Sequence, residues 1–166
     1  CSHVKAGCAK HGLADPRMFI EPGRSIVARA GIALYTVGSS KDIPDVRRYV
    51  SVDGGMADNI RPALYESRYE AIVANKPLDA RTERVTIAGK YCESGDALIR
   101  DVGLPPLEPG DVLVIPASGA YALAMASNYN ASQRPAVVLV ANGEAKLMRR
   151  RETYDDLLRP DVWPLE

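Results

Sequence analysis

The sequence predicts a mainly β fold, a closed barrel or a sandwich. Three observations predict it. Short β-type runs recur along the chain with turn residues between them, helical patterns are few and brief, and no segment repeats. The 166 residues suggest one domain with room for a remnant of another, and a 46% hydrophobic content is enough for a core. The 21 basic and 21 acidic residues cancel, which argues against nucleic acid or a membrane surface as a partner. No apolar run approaches the roughly 18 residues of a membrane span.

Residues 1–17 read as a helix end and a loop that Asp15-Pro16 stops. They contain no apolar core of a secretory signal. There is no initiator Met, and the chain is expected to be cut from something longer. Met18-Phe19-Ile20 reads as a short buried strand entering the turn Glu21-Pro22-Gly23-Arg24. Ser25 to Val37 is β-rich, with Gly31 at a bulge or bend, and 41–45 is a polar loop. Arg47 to Val52 alternates as a strand and ends at the glycine turn Asp53-Gly54-Gly55. Pro62 sets an irregular stretch or one helical turn within 58–65. Further strands are expected at 69–73, 85–91 and 112–115, and a short helix within 117–125. Asn142-Gly143 between two β runs predicts a type I′ hairpin. Thr153 with Asp156 predicts a capped helix from Tyr154 to Leu158, ended by Pro160.

Three cysteines, Cys1, Cys8 and Cys92, are too irregularly spaced for a disulfide framework or a zinc site, and a reducing, cytoplasmic setting is expected. Cys92 stands in Cys92-Glu93-Ser94-Gly95-Asp96, between the β-type Val85-Thr86-Ile87-Ala88 and the apolar Ala97-Leu98-Ile99. A strand-to-turn junction is where a rigid frame hands side chains to a pocket. There Cys92 is either buried filler or, with a lowered pKa, a proton donor or nucleophile. Glu93 suits an amine. Arg61 and Tyr65, four apart, share a face of one helical turn, and a guanidinium beside a phenol suits a carboxylate. Arg24 is either a surface arginine on a turn or a bidentate partner for phosphate or carboxylate.

Four motifs in order carry a family resemblance from about Met18 to Leu158. They are Glu21-Pro22-Gly23-Arg24; Asp53-Gly54-Gly55 with Arg61-Pro62-Ala63-Leu64-Tyr65; Cys92-Glu93-Ser94-Gly95-Asp96; and Gly119-Ala120-Tyr121 with Ser127-Asn128-Tyr129-Asn130. Together they resemble the C-terminal part of the fold-type III, pyridoxal-phosphate-dependent decarboxylases, in the group acting on diaminopimelate. The resemblance implies a Greek-key-like β-barrel domain over 31–166. Residues 1–30 would be a remnant of the cofactor-binding α/β barrel, its last strand and helix.

The resemblance also implies the cofactor, pyridoxal 5′-phosphate, and the reaction, decarboxylation of meso-2,6-diaminopimelate to L-lysine and CO2. By it, Glu21, Gly23, Arg24 and Tyr121 lie at the cofactor. Arg24, Arg61, Tyr65 and Tyr121 contact substrate, with the far carboxylate on the arginines. Glu93 takes the far ammonium, and Cys92 protonates Cα after CO2 leaves. Family members form homodimers that share active sites, so Cys92 and Glu93 would serve the neighbouring subunit. Asp96 is expected to hold its turn, Asn128 to Asn130 to be structural or interfacial, and Trp163 to pack at an interface. His3 and His11 receive no role.

The chain's lysines are Lys5, Lys10, Lys41, Lys76, Lys90 and Lys146, and none stands in the family's cofactor-lysine motif. That lysine is expected upstream, and the chain alone is expected to be inactive. Two alternatives stay open: a related ornithine- or arginine-type decarboxylase, against which Arg61 and Tyr65 argue, and a non-catalytic β-barrel oligomerisation module.

Overall fold

In the computed structural model, residues 1–162 are described. The expectation for Trp163 lies outside them. Six strands form one sheet in the order β3-β6-β1-β2-β4-β5. They are β1 (Ala33–Ile43), β2 (Arg47–Val52), β3 (Ile72–Val73), β4 (Glu83–Ala88), β5 (Ala97–Leu104) and β6 (Val112–Ile115). The mainly β expectation holds: the sheet curls into a half-barrel whose edges are β3 and β5. β1 pairs antiparallel with β2 and β6, while β2 and β4 run parallel, with Val50 opposite Ile87.

A parallel neighbour demands a long crossover. The connection from β2 to β4 carries helix α3 (Arg61–Tyr65, numbered after the two helices described below) and strand β3. Strand alternation explains the core. Inward residues Val37, Val50, Val52, Val85, Ile87, Leu113 and Ile115 are buried together, joined by Leu98, Ile99 and Leu104. The bend at Gly31 is a close backbone contact: a Cβ on Gly31 would lie 2.5 Å from Cα of Gly119.

Before the sheet come α1 (Ser2–Lys10), which buries no residue, and the one-turn α2 (Gly23–Val27). After it, β7 (Val137–Ala141) and β8 (Glu144–Arg149) form a separate hairpin. Its turn residues Asn142 and Gly143 have φ of 53° and 78°, the two positive values of a type I′ turn. Helix α4 (Tyr154–Leu158) has the expected capping box between Thr153 and Asp156. No helix among the described residues is long and apolar enough to cross a membrane.

Several local expectations are corrected. Met18-Phe19-Ile20 is not a buried strand: it lies outside any strand, and Phe19 is 78% exposed. The triplet has no neighbouring strand among the described residues to take its backbone groups. Ser25 to Ala30 is helical rather than β; Ser25 Oγ bonds the Pro22 carbonyl at 2.7 Å and closes the turn. The polar 41–43 segment belongs to β1, because Lys41 and Asp42 pair with Tyr49 and Arg48. The turn is delayed to Pro44-Asp45, where Asp45 has φ 59°. The 69–73 strand shrinks to Ile72–Val73, and the 85–91 strand stops at Ala88. The 117–125 helix reduces to a 3-10 turn at Leu123–Met125, since Ala117 and Tyr121 adopt left-handed φ of 55° and 63°.

Candidate active site

Helix α3 begins with Pro62 in its first turn, where a missing N–H costs nothing, and ends at Glu66 with φ 52°. One turn suffices to set Arg61 beside Tyr65, the guanidinium carbon 5.2 Å from the ring centre. The same carbon lies 5.4 Å from the ring centre of Tyr121. Arg24, at the start of α2, lies 5.5 Å from that ring. Three motifs far apart in sequence thus converge on one aromatic side chain. The expected shared face of Arg61 and Tyr65 is present.

Tyr121 holds this position in a left-handed backbone that a bulky side chain rarely adopts. Such outliers persist where the surroundings over-determine them, often at functional sites. Gly23 makes the room: a Cβ there would lie 2.5 Å from the Tyr121 hydroxyl. The Gly23 N–H donates to the Glu21 carbonyl at 2.9 Å, so the glycine serves close packing against the phenol. Glu21 itself is exposed.

A groove of about 470 Å³ opens beside this cluster, lined by Arg24, Arg61, Ser67, Tyr69 and Ala117 among others. Arg61 donates to Ser67 Oγ at 3.2 Å, but its Nε is buried without a partner, as is the Tyr69 hydroxyl. Cys92 and Glu93 do not line this groove.

They belong to a second group, on the β4–β5 turn. Asp96, 4% exposed, organises that turn. Its carboxylate accepts from the backbone N–H of Met56 at 2.7 Å and of Tyr91 at 2.8 Å. The expected holding role of Asp96 is present, and it extends to the Asp53-Gly54-Gly55 loop. Gly55 and Gly89 have no side chain because Asp96 occupies that space. Burial pushes the Asp96 carboxyl above the usual carboxylate range, and the two N–H groups oppose the shift. Cys92 and Glu93 are exposed at the tip, so the buried-filler alternative for Cys92 does not hold.

Tyr129, expected to be structural or interfacial, and Tyr91, expected at a strand end, both join this second group. The Tyr129 hydroxyl hydrogen-bonds Glu93 Oε1. The Tyr91 and Tyr129 rings meet edge to face, centres 5.4 Å apart, and the Tyr91 hydroxyl donates to Ser132 Oγ at 2.7 Å. The available signal was the Ser127-Asn128-Tyr129-Asn130 motif, which places a phenol in a turn but says nothing of its partner. Among the described residues, no hydrogen bond or ring contact joins this group to the Arg61 group.

The family model of the pyridoxal-dependent decarboxylases, C-terminal sheet domain, matches residues 24–119. The chain belongs to this family. It is 55% identical over 159 residues to a diaminopimelate decarboxylase of Bacillus subtilis, covering 96% of this chain and 36% of the relative. It is 52% identical over 161 residues to one from Synechocystis, covering 97% and 34%. Among solved structures, the diaminopimelate decarboxylase of M. jannaschii in co-complex with L-lysine superposes with a TM-score of 0.82 at 42% identity, covering 96% of this chain and 36% of that one. The chain thus spans about a third of the length of the curated relatives it matches.

The first group fits a pyridoxal phosphate. Two guanidiniums, that of Arg61 with an orphaned buried Nε, and the phenols of Tyr65 and Tyr121 form a donor-rich set suited to phosphate or carboxylate oxygens.

Proposed function

We propose that the chain is the C-terminal part of a diaminopimelate decarboxylase, converting meso-2,6-diaminopimelate to L-lysine and CO2. The observation that carries the reading is Arg61. It lies against Tyr65 and Tyr121, its Nε has no partner, and Arg24 lies against the same Tyr121 ring. A buried guanidinium N–H without a partner is costly, so the site suits a ligand that brings a carboxylate. The names of the relatives, and the L-lysine bound in the M. jannaschii structure, support the same substrate class.

Arg24, Tyr121 and the Glu21–Gly23 turn would hold the cofactor from this side. Pyridoxal phosphate, when bound, supplies the sink for the electron pair left at Cα. Arg61 and Tyr65, with Arg24, hold the far carboxylate, Tyr121 lies near the substrate, and Glu93 holds the far ammonium. Gripping the remote end aligns the scissile bond, which is remote binding energy used for orientation. Cys92 delivers a proton to Cα, replacing the lost carboxylate by hydrogen. The two groups of residues on one chain, without a contact between them, suit a homodimer in which each chain completes its partner's site. Residues 1–30 are the tail of a preceding barrel, in keeping with the exposed Phe19, Ile20 and Ile26. The cofactor lysine lies upstream, and the chain alone is inactive. The free thiols suit a reducing, cytoplasmic enzyme.

The test is a decarboxylation assay on the full-length protein with pyridoxal phosphate, offering meso-diaminopimelate, L-lysine, L-ornithine and L-arginine. Turnover confined to meso-diaminopimelate is expected. Preference for ornithine or arginine would overturn the substrate, and no turnover would leave the oligomerisation-module reading.

A further inference from the structure

We infer that Tyr129 is the positioning residue for Glu93: its phenol fixes one carboxylate oxygen so that the other faces the ammonium of a diamino-acid ligand. The inference deepens the proposed function and rests on its placing of Glu93 at that ammonium.

Glu93 is at the exposed tip of the β4–β5 turn, and a glutamate there has three side-chain torsions to order before it can meet a ligand charge. The Tyr129 hydroxyl engages Oε1 and removes that freedom. A hydrogen bond to a carboxylate is among the stronger kinds, and it leaves Oε2 for a second donor. The hydrogen bond also pushes the Tyr129 phenol up to about 12, as expected for a phenol donating to a carboxylate.

The phenol is itself held from three directions. Its ring meets that of Tyr91 edge to face, and the Tyr91 backbone N–H is fixed by Asp96 and its hydroxyl by Ser132. Its backbone forms a tight turn in which Asn130 and Ala131 have φ of 51° and 55°. Asn128 closes that turn by donating to the Ser132 carbonyl at 2.9 Å, and it also donates to Glu152 at 2.6 Å. Glu152 in turn accepts from Arg134. Left-handed residues cost stability and persist where their surroundings over-determine them, as the Asn128 clamp does here, and they cluster at functional sites. Tyr129 is the side chain that this turn aims at Glu93.

The experiment uses the full-length protein loaded with pyridoxal phosphate, with L-lysine and 6-aminohexanoate as probes. Both keep the amine of the reacting end and the far carboxylate, and only lysine, through its α-amino group, carries the far ammonium. Calorimetry compares the unmodified protein, Tyr129→Phe, Glu93→Gln and the double variant. Tyr129→Phe keeps the ring and its contact with Tyr91. It should weaken L-lysine binding about tenfold and leave 6-aminohexanoate unchanged. In the Glu93→Gln background it should add little, because the two residues act as one unit. Equal loss for both probes, no loss for either, or an undiminished loss in the Glu93→Gln background would overturn the inference. A protein that shows the lysine-specific loss but does not decarboxylate meso-diaminopimelate would overturn the function and leave the role of Tyr129 standing.

Discussion

The carboxylate of Asp96 accepts the backbone N–H of Met56 at 2.7 Å, across forty residues of chain. Its second oxygen takes the N–H of Tyr91, immediately before Cys92. One buried side chain therefore couples the loop leading into α3 to the turn that presents Cys92 and Glu93. Asp96→Ala would strand two backbone donors and leave a void. A loss of about 2–4 kcal/mol in urea unfolding is expected. Asp96→Asn keeps a carbonyl acceptor for only one of them and should fall between the two.

Cys92 is exposed at the tip of this turn and makes no contact that the core needs. Cys92→Ala in the full-length enzyme should therefore leave stability within about 0.5 kcal/mol. Its kcat should drop at least about a hundredfold with little change in KM, as expected for loss of a proton donor acting at Cα. Steady-state kinetics with meso-diaminopimelate provide the check, and an unchanged kcat would remove Cys92 from the chemistry.

Arg61 works through its plane, since it lies against the Tyr65 and Tyr121 rings while holding Ser67. Lysine keeps the charge but loses the fork and the stacking surface. Arg61→Lys is expected to lower kcat/KM for meso-diaminopimelate by about tenfold to a hundredfold, mostly through KM. It should weaken binding of L-lysine as well, because loss of CO2 from the reacting carbon leaves the far carboxylate in the product.

Gly23→Ala tests the packing of the Tyr121 phenol. The added methyl would meet the hydroxyl at 2.5 Å, and Tyr121 must swing away. Weaker retention of pyridoxal phosphate, read from its absorbance after dialysis, is expected without a change of fold by circular dichroism.

Acid should loosen the domain through specific carboxylates. For Asp111, burial pushes the carboxyl up, but the Glu108 N–H, the Asn75 amide and the Lys76 ammonium outweigh it and hold it below the usual range. Glu152 is held down first by the Arg134 N–H, against burial, with help from Asn128 and the Arg134 guanidinium. Both pKa values are lower in the folded state. Their stabilisation is full above the unfolded-state pKa and is lost as pH falls through the folded one. Asp96, raised by burial, has the opposite sign: its contribution is present below the unfolded value and lost as pH rises through the folded one. The urea midpoint should therefore fall as the pH drops below about 5, and Asp111→Asn should flatten that slope.

Legibility followed the distance over which each feature is decided. The Asn142-Gly143 hairpin, the Thr153–Asp156 capping box and the Arg61–Tyr65 face are set within a few residues, and each stands where the sequence puts it. The errors at Met18-Phe19-Ile20 and Ser25 to Ala30 came from apolar runs whose partners decide strand or helix. Lys41 and Asp42 erred the other way, being polar yet recruited by Tyr49 and Arg48 across the hairpin.

By itself, the sequence determined a mainly β domain, four ordered motifs and the chemical types that stand in them, because turn glycines, caps and alternation act locally. Only the tertiary structure decided the parallel pairing of β2 with β4 and the left-handed Tyr121 against Arg24 and Arg61. It alone joined Tyr129 to Glu93. These relationships link residues from 36 to 97 positions apart, and their geometry is paid for by packing that no local pattern encodes.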